Sequence, residues 1–296
     1  MLRFFRNASP NLQGILLNML AILIFTLMDA LAKHLILQGY HALQVVWMRY
    51  LGQTALITVL VLPRIGTVLR THYPVMQGLR SVLQFASSAF FFVALPFISL
   101  ASATAISDIN PVLITLGAGL FLGERLGPRR LIAIAVALTG AMIIIRPGTE
   151  VFSPAALLPL ACAFSFAAFA LITRAMGPNE SLWTSLFYSA LFGTLITTAI
   201  LPFIWTPIRM HDFAGFIGIG LLGTLGQLCL IRAYATAPAS VIAPFGYSGI
   251  VLATIWGFLF FAERPDAMTI LGALVIAGAG LYVWHREAQL ARQARS

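Results

Sequence analysis

Charge is what this sequence has least of. Only 9% of its 296 residues are charged, against 60% hydrophobic, whereas a soluble domain carries about a quarter charged residues. That shortage excludes a sizeable soluble domain, because apolar runs recur about every 25 to 30 residues along the whole chain. Cysteine is scarce too. Cys162 and Cys229 lie in apolar runs, with no partner at redox or metal-ligand spacing, so both read as small core residues. Also missing are a nucleophile–base pair, a phosphate-cradling glycine loop and any metal-binding spacing. An ATP-driven pump, an intramembrane hydrolase and a bound metal or cofactor are therefore not expected, and the chain does not read as an enzyme.

What is present is a series of ten apolar runs, near 12–37, 42–63, 75–97, 100–122, 131–146, 154–176, 181–204, 213–235, 237–261 and 267–284. A helix needs about 20 residues to cross a bilayer. Backbone in lipid must satisfy itself internally, and runs without period-two alternation exclude a closed barrel, which leaves helices. The predicted fold is an all-α integral membrane protein with ten transmembrane helices. The N-terminal "MLRFFRNASP" has the arginines of a signal peptide, but a long apolar run without a small-residue cleavage site follows, so it reads as a retained first helix.

Lysine and arginine placement predicts the orientation. With the N-terminus inside, one side collects Arg3, Arg6, Arg64, Arg70, Arg125, Arg129, Arg130, Arg174, Arg232, Arg286, Arg292 and Arg295. The other has Lys33, Arg146, Arg209 and Arg264. Both termini are expected in the cytoplasm. The net charge of +9 is thus a topology signal; a nucleic-acid partner would need a folded basic face.

The chain repeats itself. Residues 100–146, "LASATAISDINPVLITLGAGLFLGERLGPRRLIAIAVALTGAMIIIR", match 239–285, "ASVIAPFGYSGIVLATIWGFLFFAERPDAMTILGALVIAGAGLYVWH", at a constant offset. Glu124-Arg125 and Glu263-Arg264 correspond, Tyr247 falls opposite Asp108, and Lys33 falls opposite Arg174. Two five-helix halves are expected, 1–149 and 150–296, and an odd number makes the second enter the membrane from the opposite side. Inverted repeats of this kind build secondary transporters, with substrate near the midplane and access alternating between sides.

Ten helices, the duplication and the Glu-Arg segments resemble the drug/metabolite transporter superfamily, specifically its EamA-type members. "WMRYLGQ" at 47–53 is similar to the arginine-bearing second helix common there, and 94–126 to the family's third-to-fourth helix signature. The resemblance implies a small-molecule carrier in the bacterial inner membrane, with substrates ranging from amino acids to vitamins, nucleotide metabolites and drugs. "MDALAKHL" at 28–35 is similar to members linked to uptake of cofactors such as S-adenosylmethionine or riboflavin.

Candidate site residues are the polar groups inside the runs. At ~1.5 Å per residue, Asp29 lies roughly 12 Å from the outer end of its span, Arg49 about 10 Å and Asp108 about 12 Å. A lone charge at mid-bilayer costs ~2.5 to 3.5 kcal/mol on the mildest scale, so charges at one level suggest one cavity. The expected arrangement is an i,i+4 pair of Asp29 with Lys33, and Arg49 facing Asp29 or Asp108 across the bundle. Lys33 and His34 equally suit snorkelling to headgroups, and the deeper charges equally suit a structural ion pair.

"SDINPV" and "APFGYSG" place Asp108, Asn110 and Pro111 opposite Pro244 and Tyr247, as matching helix breaks of the kind that line a transport site or merely kink and pack. Gln84 and Gln227 are intramembrane amides that suit either substrate or a neighbouring helix. Arg80 is shallow enough to snorkel. Trp47, Phe85, Phe90 and Phe91 supply aromatic surface for a ring or methylated ammonium, or for packing. Glu124 and Glu263, carboxylates at helix C-termini, call for a nearby cation and read as clamps between halves.

The expected function is a secondary carrier for a small polar or amphipathic metabolite, with Asp29, Lys33, Arg49, Gln84, Asp108, Asn110, Gln227 and Tyr247 around the substrate. Asp29 and Asp108 are the candidates for proton coupling, and exchange against a counter-substrate is the alternative. A channel-like facilitator, an exporter of the same fold, and a membrane enzyme or structural subunit are the competing readings. A homodimer is compatible with all of them.

Overall fold

A computed structural model describes residues 9–121, 128–146, 153–176, 180–237 and 243–293. Those residues are helical with short connections and no strand. The helices are α1 Pro10–Leu37, α2 Ala42–Val61, α3 Pro74–Ala94, α4a Leu100–Ser107 and α4b Asn110–Phe121, α5 Pro128–Ile145, α6 Leu157–Met176, α7 Leu182–Ile204, α8 Phe213–Thr236, α9 Ser248–Phe261 and α10 Ala267–Gln293. Among the described residues, six are long and apolar enough to cross a membrane: α1, α2 with its continuation to Val68, α4a with α4b, α6 with its preceding turn, α7 and α8. Leu131–Ile145, Phe245–Phe261 and Ala267–Tyr282 are apolar but shorter. Helix α3 is not among the six, because Gln77, Arg80, Ser81, Gln84, Ser87 and Ser88 interrupt it.

Local chemistry sets the boundaries. Ser9 accepts the Leu12 N–H at 3.4 Å and Pro10 needs no N–H partner at the first position, which starts α1. Gly39, at φ 102°, takes the left-handed conformation just past the helix end. Ser99 caps α4a through the Ser102 N–H at 3.1 Å. The expected break lies where "SDINPV" places it: α4a ends at Ser107, the Asp108 N–H reaches back to Thr104 O at 2.9 Å, and Pro111 falls in the first turn of α4b. In the matching position a 3-10 turn, Ala243–Tyr247, precedes α9. The Pro244 side chain, Glu124 and Arg125 lie outside what the structure describes.

The packing pattern is itself regular. Helix α1 packs on α8, α3 on α6, α2 on α8, α3 on α7, α1 on α9 and α4b on α6, with α2 on α7 and α5 on α10. Exchanging α1–α5 for α6–α10 turns each of the first six contacts into another of them and leaves the last two unchanged. Close approach at two crossings depends on glycine. A Cβ at Gly52 would sit 2.6 Å from Gly220 Cα, and one at Gly272 would sit 2.6 Å from the Gly140 carbonyl oxygen. One buried cluster gathers Met28, Tyr50, Phe92 and Phe216, and a second gathers Ile106, Ile109, Ala163 and Ile276. Outward, Phe203, Val251 and Leu274 stand exposed, an apolar surface that suits lipid.

Candidate functional site

Arg49 is held between helices by three different devices. Its Nη1 donates to Ser88 Oγ on α3 at 3.2 Å, and its guanidinium lies 5.8 Å from the Phe92 ring and 5.9 Å from the Tyr50 ring. Gly223 on α8 gives its stem room, since a Cβ there would be 3.2 Å from both Arg49 Cγ and Met28 Sδ. Tyr50, 1% exposed, fixes the far side: its hydroxyl reaches Ser88 Oγ at 3.1 Å and donates to Gln84 O at 3.2 Å. Asp29 on α1 is the electrostatic neighbour of Arg49. Cys162 on α6, 3.2 Å from Ser87 Oγ, also lies in the field of both. Asp29 and Arg49, both half-buried, lie within electrostatic reach of each other but form no ion pair or hydrogen bond.

Lys33 does something else. It is 4% exposed, so it does not snorkel, and its partner is Glu263, not Asp29. Four residues along α1 place Asp29 and Lys33 on one face, but Lys33 lies a turn nearer the helix end, where Glu263 approaches just after α9. The ammonium forms an ion pair with Glu263 Oε1 and donates to Ile98 O at 2.6 Å, while Glu263 Oε2 accepts the Leu100 N–H at 2.8 Å. A Cβ at Gly257 would stand 2.7 Å from that same oxygen. Ala262, left-handed at φ 53°, turns the chain so that Glu263 faces inward. His34, one residue on, is exposed.

Arg80 is also 4% exposed, not snorkelling. Nε donates to Thr173 Oγ1 at 2.6 Å, Nη1 donates to Ser185 O and Ser189 Oγ at 2.8 Å each, and the Phe169 ring lies 4.5 Å away. No carboxylate is among these partners.

Asp108 forms no ion pair with Arg49; its electrostatic neighbour is Tyr247, the residue opposite it in the repeat. Neither Asp29 nor Asp108 forms an ion pair among the described residues: Asp29 lies in the field of Arg49, and Asp108 acts electrostatically on Tyr247. Three of the site candidates have side-chain atoms sealed from solvent without a hydrogen-bond partner: Asp108 Oδ2, Gln84 Oε1 and Tyr247 Oη. Asn110 and Gln227 are half-buried with no side-chain hydrogen bond among the described residues. Trp47 packs toward α7, donating to Thr198 Oγ1 at 3.0 Å and meeting Trp205 edge-on. Sequence reasoning missed Tyr50, Ser87 and Ser88; the polar interruption of α3 was the available signal.

The same duplication appears in comparison with known proteins. The model of the EamA-like transporter family matches residues 12–146 and again 153–284. The chain belongs to the EamA-like transporter family. Among its relatives, the "Riboflavin transporter" of Rhizobium johnstonii is 32% identical over 287 residues, covering 95% of this chain and 93% of the relative. The "Pseudopaline exporter" of Pseudomonas aeruginosa is 30% identical over 90% of this chain and 94% of its own. The "S-adenosylmethionine uptake transporter" of Rickettsia felis is 26% identical over 88% of each. A solved crystal structure superposes with a TM-score of 0.62 at 18% identity, covering 96% of this chain and 99% of its own, which shows the fold alone. In this EamA-family protein, the Lys33–Glu263 pair joins one matched segment to the other.

Proposed function

We propose that this EamA-family protein is a secondary carrier that moves a small polar or amphipathic metabolite across the bacterial inner membrane by alternating access. Ten crossings, arranged as inverted five-helix halves over 1–149 and 150–296 with both termini cytoplasmic, fit the packing pattern that half-exchange preserves. The observation that carries the reading is Arg49, held mid-span with Asp29 beside it and with Ser88, Gly223 and Cys162 contributed by three further helices of both matched segments. Charges at that depth mark a substrate path. Under this topology Lys33 and Glu263 lie at the periplasmic end and Arg80 at the cytoplasmic end, so each end has its own polar closure.

The cargoes named for the relatives, riboflavin, S-adenosylmethionine and pseudopaline, set the panel for a test together with the common amino acids. Purified protein in liposomes is expected to take up at least one of them with saturation and with acceleration by the same compound inside. Arg49→Ala is expected to cut that uptake more than tenfold with the protein still folded. Uptake that never saturates and shows no counterflow favours the channel-like facilitator, and no uptake at all removes the carrier. Acceleration by an inward pH gradient, lost in Asp29→Asn, distinguishes proton coupling from exchange.

A further inference from the structure

The charged groups inside the bundle divide by what they have left to offer. Lys33 and Glu263 satisfy each other. Arg80 spends its donors on two hydroxyls and a carbonyl. Asp108 keeps Oδ2 sealed from solvent with no donor. Asp29 and Arg49 differ from all of these. Among the described residues the Asp29 carboxylate accepts no hydrogen bond, and Arg49 makes one, from Nη1 to Ser88. The Asp29 oxygens and the Arg49 Nε and Nη2 are nonetheless not sealed, so water reaches them. Both residues are half-buried beside fully buried neighbours, Met28 and Ala30 in α1 and Tyr50 in α2. With Ser88 on α3 and Gly223 on α8 against Arg49, and Cys162 on α6 in the field of both charges, the opening lies among five helices and not on the outer apolar surface.

Opposite charges in reach of each other and yet unpaired leave room for a ligand between them. Ser88 and the rings of Tyr50 and Phe92 hold the guanidinium, so it does not close on Asp29. A solitary anion at Arg49 would stand in the repulsive field of Asp29, and a solitary cation at Asp29 in that of Arg49. A ligand carrying both signs gains at both ends. A carboxylate matches the free Nε–Nη2 edge of the guanidinium, and a protonated amine supplies the donors that an ionised carboxylate needs. We infer that Asp29 and Arg49 form a split site for a zwitterion, its acid on Arg49 and its ammonium on Asp29. Half-buried Phe25, one turn before Asp29, and Phe85, whose ring lies 6.4 Å from that of Tyr50, offer apolar surface to the rest of the molecule. The assignment rests on the carrier reading, for which it names the substrate class: an α-amino acid, or a larger molecule bearing an amino-acid head.

The test is a charge series on one scaffold: phenylalanine, phenethylamine and phenylpropionate, which carry both charges, the cation alone and the anion alone. Equilibrium binding to the detergent-solubilised full chain at neutral pH is measured for wild type, Arg49→Gln, Asp29→Asn and Arg49→Lys. Wild type is expected to bind phenylalanine about tenfold or more tightly than either single ion, the worth of one charge-assisted hydrogen bond. Arg49→Gln is expected to lose the preference over phenethylamine and keep that over phenylpropionate, and Asp29→Asn to do the reverse. Arg49→Lys is expected to keep the wild-type order at lower affinity. Charges that merely pin helices together would, on removal, weaken all three ligands alike. That outcome, a wild type that does not favour phenylalanine, or no binding by any of the three overturns the site, and wild type alone decides where a variant does not fold. Failure of the carrier reading shows separately, as liposomes that take up nothing while the phenylalanine preference persists; saturable uptake of another cargo without that preference removes the zwitterion and leaves the carrier.

Discussion

Two buried cations hold opposite ends of the bundle, and they are satisfied differently. Lys33 reaches a carboxylate, a carbonyl beyond the end of α3 and, through Glu263, the first N–H of α4a. Arg80 lies fourteen residues before the end of α3, roughly 20 Å away along the helix, and among the described residues its partners are neutral oxygens and an aromatic face. Both bridge the two matched segments. A compact ammonium suits a single strong counter-charge, whereas a guanidinium spreads its charge over a fork of donors that hydroxyls and carbonyls can fill. The first closure is therefore all-or-none, because losing one partner strands the other's charge. The second gives way by degrees.

The largest expected effect follows from that asymmetry. Glu263→Gln leaves Lys33 buried without its counter-charge, and breaking a buried pair from one side costs about 3 to 5 kcal/mol. A large drop in the unfolding midpoint in detergent is expected, with much of it recovered in the Lys33→Met, Glu263→Met double variant, because removing both charges removes the desolvation cost as well. Non-recovery would make the pair a passive part of the packing.

Arg80→Lys comes next, at about 1.5 to 3 kcal/mol for the charge-assisted hydrogen bonds that an ammonium cannot all remake. Its remaining partners are neutral, so its loss is expected to be smaller than that of Glu263→Gln under the same melting protocol; the reverse order breaks the comparison. Gly257→Ala sharpens it. The added methyl, 2.7 Å from Glu263 Oε2, pushes the carboxylate without touching any charge, at roughly 1 to 3 kcal/mol for overpacking. Faster labelling of a cysteine placed at Ile98 would show that this end opens while Arg80's end stays shut.

The all-helical architecture was legible because backbone in apolar runs must satisfy itself internally, although among the described residues only six of the ten expected spans are long and apolar enough to cross a membrane; the break at Asp108 was legible because proline and a polar cluster coincide there. The Arg49 site was half legible. Depth along a helix comes directly from residue counting, so Asp29 and Arg49 emerged at one level. Azimuth does not: hydrophobic surroundings on every side leave no polar face to orient α1, and Lys33 was assigned the nearest carboxylate in sequence instead of Glu263, 230 residues away. Arg80 shows the same limit, since its cage is made of serines, a threonine and a carbonyl that no charge pattern announces. The electrostatic relation of Asp108 to Tyr247 was readable only through the repeat, which places the two residues opposite each other.

The smallest expected effect lies beside the first closure, in the turn that carries Glu263. Asp266 caps α10 by accepting the Thr269 N–H at 2.8 Å and pairs with Arg146 from the end of α5. The hydrogen bond from Arg146, followed by those from Thr269, holds its carboxyl down at about 2 from a usual 3.8. A carboxyl depressed in the folded state stabilises the fold above its unfolded value, and that stabilisation is lost as pH falls from about 4 through about 2. Half of the side chain is exposed, so solvent screening limits the pair to under about 1 kcal/mol. Asp266→Asn is expected to lower the unfolding midpoint slightly at neutral pH and to leave it equal to wild type near pH 2. Equal offsets at both pH values would show the carboxyl acting through its shape and not its charge. That outcome would leave Lys33 and Glu263 as the sole electrostatic tie among the described residues between that turn and the first matched segment.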